Sequence, residues 1–261
     1  LVSVGWEGST AVYLSANDVA QWLRLQLGEG EVNGRRVLSK ESIGETRRPN
    51  SIDTPGKLTG EHLSLYSMGW QPFDYHGRLI FRHTGSELGS STFTMFCPEE
   101  RLGVACYVGL YSSAAVAGGY MALNSFMGLP TEGLAETYKK ALDERVNGAV
   151  SDIRTRFPDD PKKARKNSLK GAKGRYASPI YGDASIIKDD ERLRIEFAER
   201  PMLSAELFPV GDDIYDIKHD NVGMEQELFG DYMRLRLHRS LGRVESFEHS
   251  LFGAFKRKRG K

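Results

Sequence analysis

Leu79-Ile80-Phe81-Arg82-His83-Thr84-Gly85 is rich in β-forming residues and stops at a glycine, as a strand does where it runs into a turn. Three more short runs of the same character surround it, at 67–72, 90–96 and 103–110. Turn residues separate them, and Asp74-Tyr75-His76-Gly77 has the composition of a hairpin turn. Four strands in close succession therefore form the centre of the first half of the chain.

Helices are predicted on either side. Ser15-Ala16-Asn17-Asp18 spells a capping box, with a hydroxyl and a carboxylate three residues apart to satisfy the first free N–H groups. Val19, Trp22, Leu23, Leu25 and Leu27 then give a largely apolar helical face, with Trp22 and Trp70 expected in the core. Gly28 and Gly30 end the helix, 31–36 reads as a polar turn, Ser39 caps a short helix through Ile43, and 50–60 reads as loop. After the strands, 114–127 is apolar with helical spacing and is closed by Gly128-Leu129-Pro130. A longer helix follows over about 131–157, with Leu134, Tyr138, Ala141, Leu142, Val146, Ala149, Val150 and Ile153 as its stripe. The basic stretch 158–175 contains Pro and Gly and reads as a linker. Beyond it come short strands at 185–187, 193–197, 204–209, 214–217, 232–237 and 244–249, the pattern of a closed or nearly closed antiparallel barrel of six to eight strands. No internal repeat is evident.

Composition narrows the function classes. With 36 Lys and Arg against 35 Asp and Glu, the net charge of +1 gives no global reason to bind nucleic acid or an anionic membrane. No run of about 18 apolar residues is present, so no transmembrane helix is expected. Residues 1–8 have neither the charged start nor the apolar core of a signal peptide. A hairpin centred on Pro98-Glu99-Glu100-Arg101 would set Cys97 opposite Leu102 or Gly103, which disfavours a disulfide to Cys106 and predicts two buried thiols. No pair among His62, His76, His219, His238 and His249 has zinc-site spacing, Asp189-Asp190 and Asp212-Asp213 read as turn acids, and no metal or organic cofactor is indicated. The basic tail 256–259 reads as a solvated terminus.

The candidate chemistry sits at the end of the first strand quoted. The side chains of His83 and Thr84 suit a substrate carboxylate or carbonyl, Gly85 allows close backbone approach, and the Ser86 N–H is placed to meet a developing oxyanion. Tyr66 and Trp70, in Tyr66-Ser67-Met68-Gly69-Trp70, are candidates for the wall of the same cleft. A lone His-Thr-Gly is weak evidence, since any strand end can read so.

The order of segments adds to it. Ser-Ala-Asn-Asp at a helix start, then Tyr-Ser-Met-Gly-Trp, then His83-Thr84-Gly85, then Pro98-Glu99-Glu100-Arg101-Leu102-Gly103-Val104 resembles the beta-lactamase-related, penicillin-recognising serine hydrolases over about 11–129. These include class C beta-lactamases, D-aminopeptidases, D-alanyl-D-alanine carboxypeptidases and related esterases. The resemblance implies an α+β fold, with the four strands in one antiparallel sheet, 114–127 as a helix covering it, and an acyl-enzyme reaction on an amide or ester of a small molecule or peptide. His83-Thr84-Gly85 matches the family's third motif, Lys or His, then Thr or Ser, then Gly. A histidine there makes anion binding depend on pH, because imidazole is charged only when protonated. The family also requires Ser-x-x-Lys and Tyr-x-Asn, which would lie upstream of the aligned region. Ser39-Lys40, 112–115 and Ser168-Leu169-Lys170 do not fit the spacing, so the chain by itself is expected to be inactive. The family's frequent Asn after the last strand is replaced here by Tyr107-Val108-Gly109-Leu110.

Gly174-Arg175-Tyr176-Ala177-Ser178-Pro179-Ile180-Tyr181-Gly182, the strand 193–197 and Gly242-Arg243-Val244-Glu245-Ser246-Phe247 resemble the lipocalin-like domain fused behind some of these peptidases. The expected organisation is 1–130 as the C-terminal part of a beta-lactamase-like domain, 131–168 as helix and linker, and 169–261 as the barrel. In that architecture the barrel more often packs on a neighbour or supports a homo-oligomer than binds a ligand. The rival expectation is a non-catalytic scaffold that keeps a pseudo-enzyme cleft.

Overall fold

The computed structural model describes residues 12–53, 58, 61–87, 90–164, 171–189, 192–220 and 233–258. Along the chain the division between two compact units falls between Asp143 and Glu144.

The first unit opens with α1 (Ala16–Leu27), a small hairpin of β1 (Glu31–Val32) and β2 (Arg35–Arg36), and α2 (Lys40–Arg47). The capping box forms as spelled, with Ser15 Oγ accepting from the Asp18 N–H and the Asp18 carboxylate accepting from the Ser15 N–H. A six-stranded antiparallel sheet follows in chain order: β3 (Ser51–Asp53), β4 (Ser64–Tyr66), β5 (Gln71–Tyr75), β6 (Arg78–Glu87), β7 (Ser90–Cys97) and β8 (Leu102–Val108). Next come α3 (Ala114–Met127), ended by Gly128 in the left-handed conformation, and α4 (Leu134–Arg156).

Strand alternation gives the sheet two apolar faces. One buries Phe73, Ile80, Phe93 and Met95 under Ala115, Tyr120 and Leu123 of α3 and Tyr138 of α4. The other buries Trp70, Phe81 and Phe96 under Val19 and Leu23 of α1. Helix α3 lies close because residue 119 is glycine: a Cβ there would stand 2.3 Å from the Phe93 ring.

Three expectations need correction. Ser67 to Trp70 is a tight turn, closed by Ser67 N–H to Trp70 O at 2.8 Å, and the strand starts only at Gln71. Pro72 is tolerated in that strand because β5 meets β4 at Ser64↔Phe73 alone, so no ladder bond is lost on that side. Trp22 is 39% exposed, whereas Gln26, a turn further on, is buried. Cys97 is buried opposite Leu102 as the register predicts, but Cys106, paired with Phe93, is only half-buried; both are free thiols.

The second unit is a closed antiparallel barrel of eight strands: β9 (Gly174–Ser178), β10 (Gly182–Asp189), β11 (Arg192–Phe197), β12 (Ala205–Gly211), β13 (Ile214–His219), β14 (Arg234–Ser240), β15 (Arg243–His249) and β16 (Gly253–Arg257). Each strand pairs with its chain neighbours, and β16 returns to β9 through Lys256↔Ala177 and Arg257↔Tyr176. The interior is filled by its own side chains, among them Tyr176, Ile186, Ile195, Tyr215, Leu235, Phe247 and Phe255. The short helix α5 (Pro161–Ala164) falls inside the stretch expected to be linker. The tail is not merely solvated, because Arg257 donates to the carbonyls of Gly171 and Val244 and to the Tyr176 hydroxyl, and Lys258 pairs with Asp183. Arg259 and residues 1–8 lie outside the described residues.

Candidate functional site

β6 carries the candidate tripeptide, and its two neighbours stop supporting it at different points. The register with β5 ends at Gln71↔Arg82, because the chain before Gln71 is the turn just described. The register with β7 runs on through His83↔Thr94, Gly85↔Thr92 and Glu87↔Ser90. From His83 onward, β6 is therefore paired on one side and is an open edge on the other, among the described residues. Thr84, Gly85 and Ser86 on that edge are exposed, and His83 is half-buried. An open strand edge presents N–H and C=O groups that can take up an extended ligand.

Alternation puts His83 and Gly85 on the sheet face that α1 covers further along, in register with Thr94 and Thr92. The Tyr66 hydroxyl meets His83 Nε2 at 3.0 Å, with the two rings edge to face at 6.1 Å. Thr92 Oγ1 donates to Gly85 O at 3.3 Å, and a Cβ on residue 85 would stand 2.6 Å from that hydroxyl. On β8, Tyr107 lies opposite Thr92; burial pushes its phenol above the ordinary range, and a hydrogen bond with Thr94 pulls the other way. The result is a polar strip of imidazole and hydroxyl groups around a bare glycine. Such a strip can bind a carboxylate or polarise a carbonyl.

The opposite face anchors the same strand. Arg82 makes a two-pronged pair with Glu61, at 2.5 and 3.1 Å, donates to the Tyr120 hydroxyl at 2.5 Å, and lies 4.1 Å over the Phe73 ring. The Glu61 side chain is fully buried, and burial pushes the Tyr120 phenol up to about 12. A buried, bidentate clamp one residue before His83 fixes where the open edge begins.

Of the six sequence candidates, His83, Thr84, Gly85 and Ser86 lie together on the β6 edge, and Tyr66 joins them through its hydroxyl. Trp70 lies elsewhere. It is 5% exposed and packs edge to face on Phe96 at 4.9 Å, so it supports the turn from within the core. Thr92 and Thr94 lie in the stretch 90–96 expected as a strand, and neither they nor Tyr107 stand among the sequence candidates for the site. Their polar alternation was visible; what brings it to Gly85 and His83 is strand pairing.

The spelling Ser-x-x-Lys does occur, as Ser185-Ile186-Ile187-Lys188, which sequence reading passed over. It lies in β10, where residues three apart point to opposite faces, so hydroxyl and amine cannot meet. Among the described residues no three His, Cys, Asp or Glu side chains gather to hold a metal ion, and no helix is long and apolar enough to cross a membrane.

Residues 2–117 match the family model described as Beta-lactamase. This stretch is similar to that family. The match takes in α1, the whole sheet and the His83-Thr84-Gly85 edge. A search of curated proteins returns no match to the chain. Among solved structures, the octameric penicillin-binding protein homologue from Pyrococcus abyssi is 18% identical, with TM-score 0.41, over 93% of this chain and 46% of its own. SurE is 15% identical, with TM-score 0.33, over 94% and 48%, and SurE with D-Leu is 14% identical, with TM-score 0.32, over 94% and 50%. The chain thus spans about half the length of these solved proteins.

Proposed function

We propose that this chain supplies the substrate-binding wall of a serine hydrolase that cleaves amide or ester bonds of a small molecule or peptide through an acyl-enzyme. The observation that carries this reading is the β6 edge, unpaired among the described residues from His83 onward while its other side stays locked to β7. In this reading His83 and Thr84 hold the substrate carboxylate or carbonyl, Gly85 lets the substrate backbone approach, and the Ser86 N–H is one oxyanion donor. The nucleophile comes from outside these 261 residues, and the chain by itself does not turn over substrate. Residues 1–130 are then the C-terminal part of the catalytic domain, 131–168 the connection, and 169–261 the barrel. An interior filled by side chains suits the barrel to packing and self-assembly better than to ligand storage.

The test is acylation by a fluorescent penicillin and by a fluorophosphonate, in the protein in which this chain occurs, with His83→Ala alongside. Labelling that slows by about 10²-fold in the variant is the expected result, the scale set by losing one group that stabilises the transition state. An unchanged rate in His83→Ala removes that residue from the site. Absence of labelling by either reagent replaces the hydrolase with the scaffold reading, which the filled barrel also favours.

A further inference from the structure

We propose that Tyr66 fixes the tautomer of His83, so that the neutral imidazole still presents an N–H to a substrate oxygen. The use of that N–H rests on the substrate-wall reading; the tautomer does not.

The backbone that carries Tyr66 is held in place from several directions. Tyr66 is the last residue of β4, paired with Ser51, and its carbonyl accepts from the Asn50 N–H at 2.8 Å. The turn that follows is pinned by Ser67 Oγ to Arg47 O at 2.9 Å, by Met68 N–H to Thr46 O at 3.2 Å, and by the buried Trp70. His83 is equally constrained, lying between the Glu61-clamped Arg82 and the β7 ladder. The 3.0 Å contact therefore joins side chains that leave two firmly held stretches of backbone.

The chemistry of the pair sets the direction of the hydrogen bond. A phenol is a good donor and a modest acceptor, whereas the bare nitrogen of a neutral imidazole is a strong acceptor. Tyr66 O–H donates to Nε2, which leaves the single ring proton on Nδ1. Nδ1 has no hydrogen-bond partner among the described residues and His83 is only half-buried, so its N–H is available to a ligand. On protonation the Nε2–H turns to the phenol oxygen and Nδ1 keeps its proton. A donor is thus offered at every pH, and only the charge is lost on deprotonation. The pH dependence expected of an unsupported histidine is flattened. Charged groups on the neighbouring elements include Arg47 of α2, over the Phe81 and Phe96 rings, Asp53 of β3, which accepts from Gln71, and the Arg82–Glu61 pair on the opposite face. Tyr66 is in this sense a positioning residue.

Ring-nitrogen NMR of the ¹⁵N-labelled chain at pH 8 tests this without any turnover. The expected result is a protonated Nδ1 and a bare Nε2 at His83, reverting to mixed tautomers in Tyr66→Phe and Tyr66→Leu and unchanged in Tyr107→Phe. His83 protonated at Nε2 in the unaltered chain, or the same tautomer in both Tyr66 variants, overturns the assignment. Acetate then probes the use of the N–H. Its affinity, read at His83, should fall less than about tenfold from pH 5.5 to 8 in the unaltered chain, and at least three times more steeply in Tyr66→Phe. Equal pH slopes overturn the flattening. A fixed tautomer with no acetate response at either pH supports the assignment and instead removes the substrate-wall reading.

Discussion

Gly85 and Thr92 form a single device. The glycine makes room for the Thr92 hydroxyl, which lies across it and donates to its carbonyl. Gly85→Ala must therefore push Thr92 aside, and because a threonine side chain can rotate, we expect a cost of only about 1 kcal/mol. The larger effect belongs to the groove, now occupied by a methyl group. Ligand affinity in the Gly85→Ala variant should fall at least tenfold, and Thr92→Ala added to it should restore the stability, read by urea unfolding, but not the affinity. Affinity unchanged in the single variant would place the ligand elsewhere.

His249 shows the same logic in the barrel. Its Nδ1 accepts from the N–H groups of Leu251 and Phe252, at 3.1 and 3.2 Å, and its ring stacks on Phe252 at 4.4 Å. Complete burial pushes it down to about 3, helped by the neighbouring His219. The folded barrel thus refuses a proton that the unfolded chain accepts near pH 6.5. The associated stability is fully present above that pH and is lost as the pH falls from there toward 3. Between pH 7 and pH 5 the loss is about 2 kcal/mol. His249→Asn keeps an acceptor for the two N–H groups and removes the titration, so urea unfolding of the variant should lack this drop; an equal drop would assign it to other groups.

At the scale of elements, the C-terminal turn of α4 is tied to the barrel by one buried arginine. Arg234 donates to Asp216 at 2.8 Å, to Asp159 at 2.7 Å and to the Phe157 carbonyl at 2.5 Å, beside the cluster of Ile153, Phe157 and Ile214. Arg234→Met should cost about 2–4 kcal/mol, less than a fully buried pair because both carboxylates are partly solvated. Hydrogen exchange should show the loss first in 150–157. Protection there equal to that of the unaltered chain would mean the apolar cluster alone holds the helix. The helix itself was legible: every residue of its predicted stripe lies on the buried or half-buried side. So was α3, since an apolar run closed by Gly128-Leu129-Pro130 leaves little choice of ends. The short polar strands β1, β2 and β3 were not, because two or three residues carry no period. β16 was hidden by the charges of Lys256 and Arg257, whose neighbour Phe255 is the buried member of the alternation.

For the whole molecule, the separate strands, the helices and the barrel followed from patterning and the α+β sheet unit from the family resemblance, while the strand expected to stop at Gly85 runs on to Glu87. What patterning could not supply was pairing. That β5 releases β6 after Arg82 follows from where the turn at 67–70 ends, and that Thr92 and Thr94 join Gly85 and His83 follows from cross-strand register. Both are properties of two segments at once, which the alternation within one segment does not encode. The central claim is that this released edge receives an acyl substrate. Backbone amide shifts in the ¹⁵N-labelled chain, titrated with N-acetyl-D-alanine and N-acetyl-L-alanine, test it most directly. The account predicts that at least one of them moves the amides of Thr84, Gly85 and Ser86 together with Thr92, and that His83→Ala weakens the response at least tenfold. Shifts confined to other surfaces, or none at this edge with either compound at tens of millimolar, would contradict it.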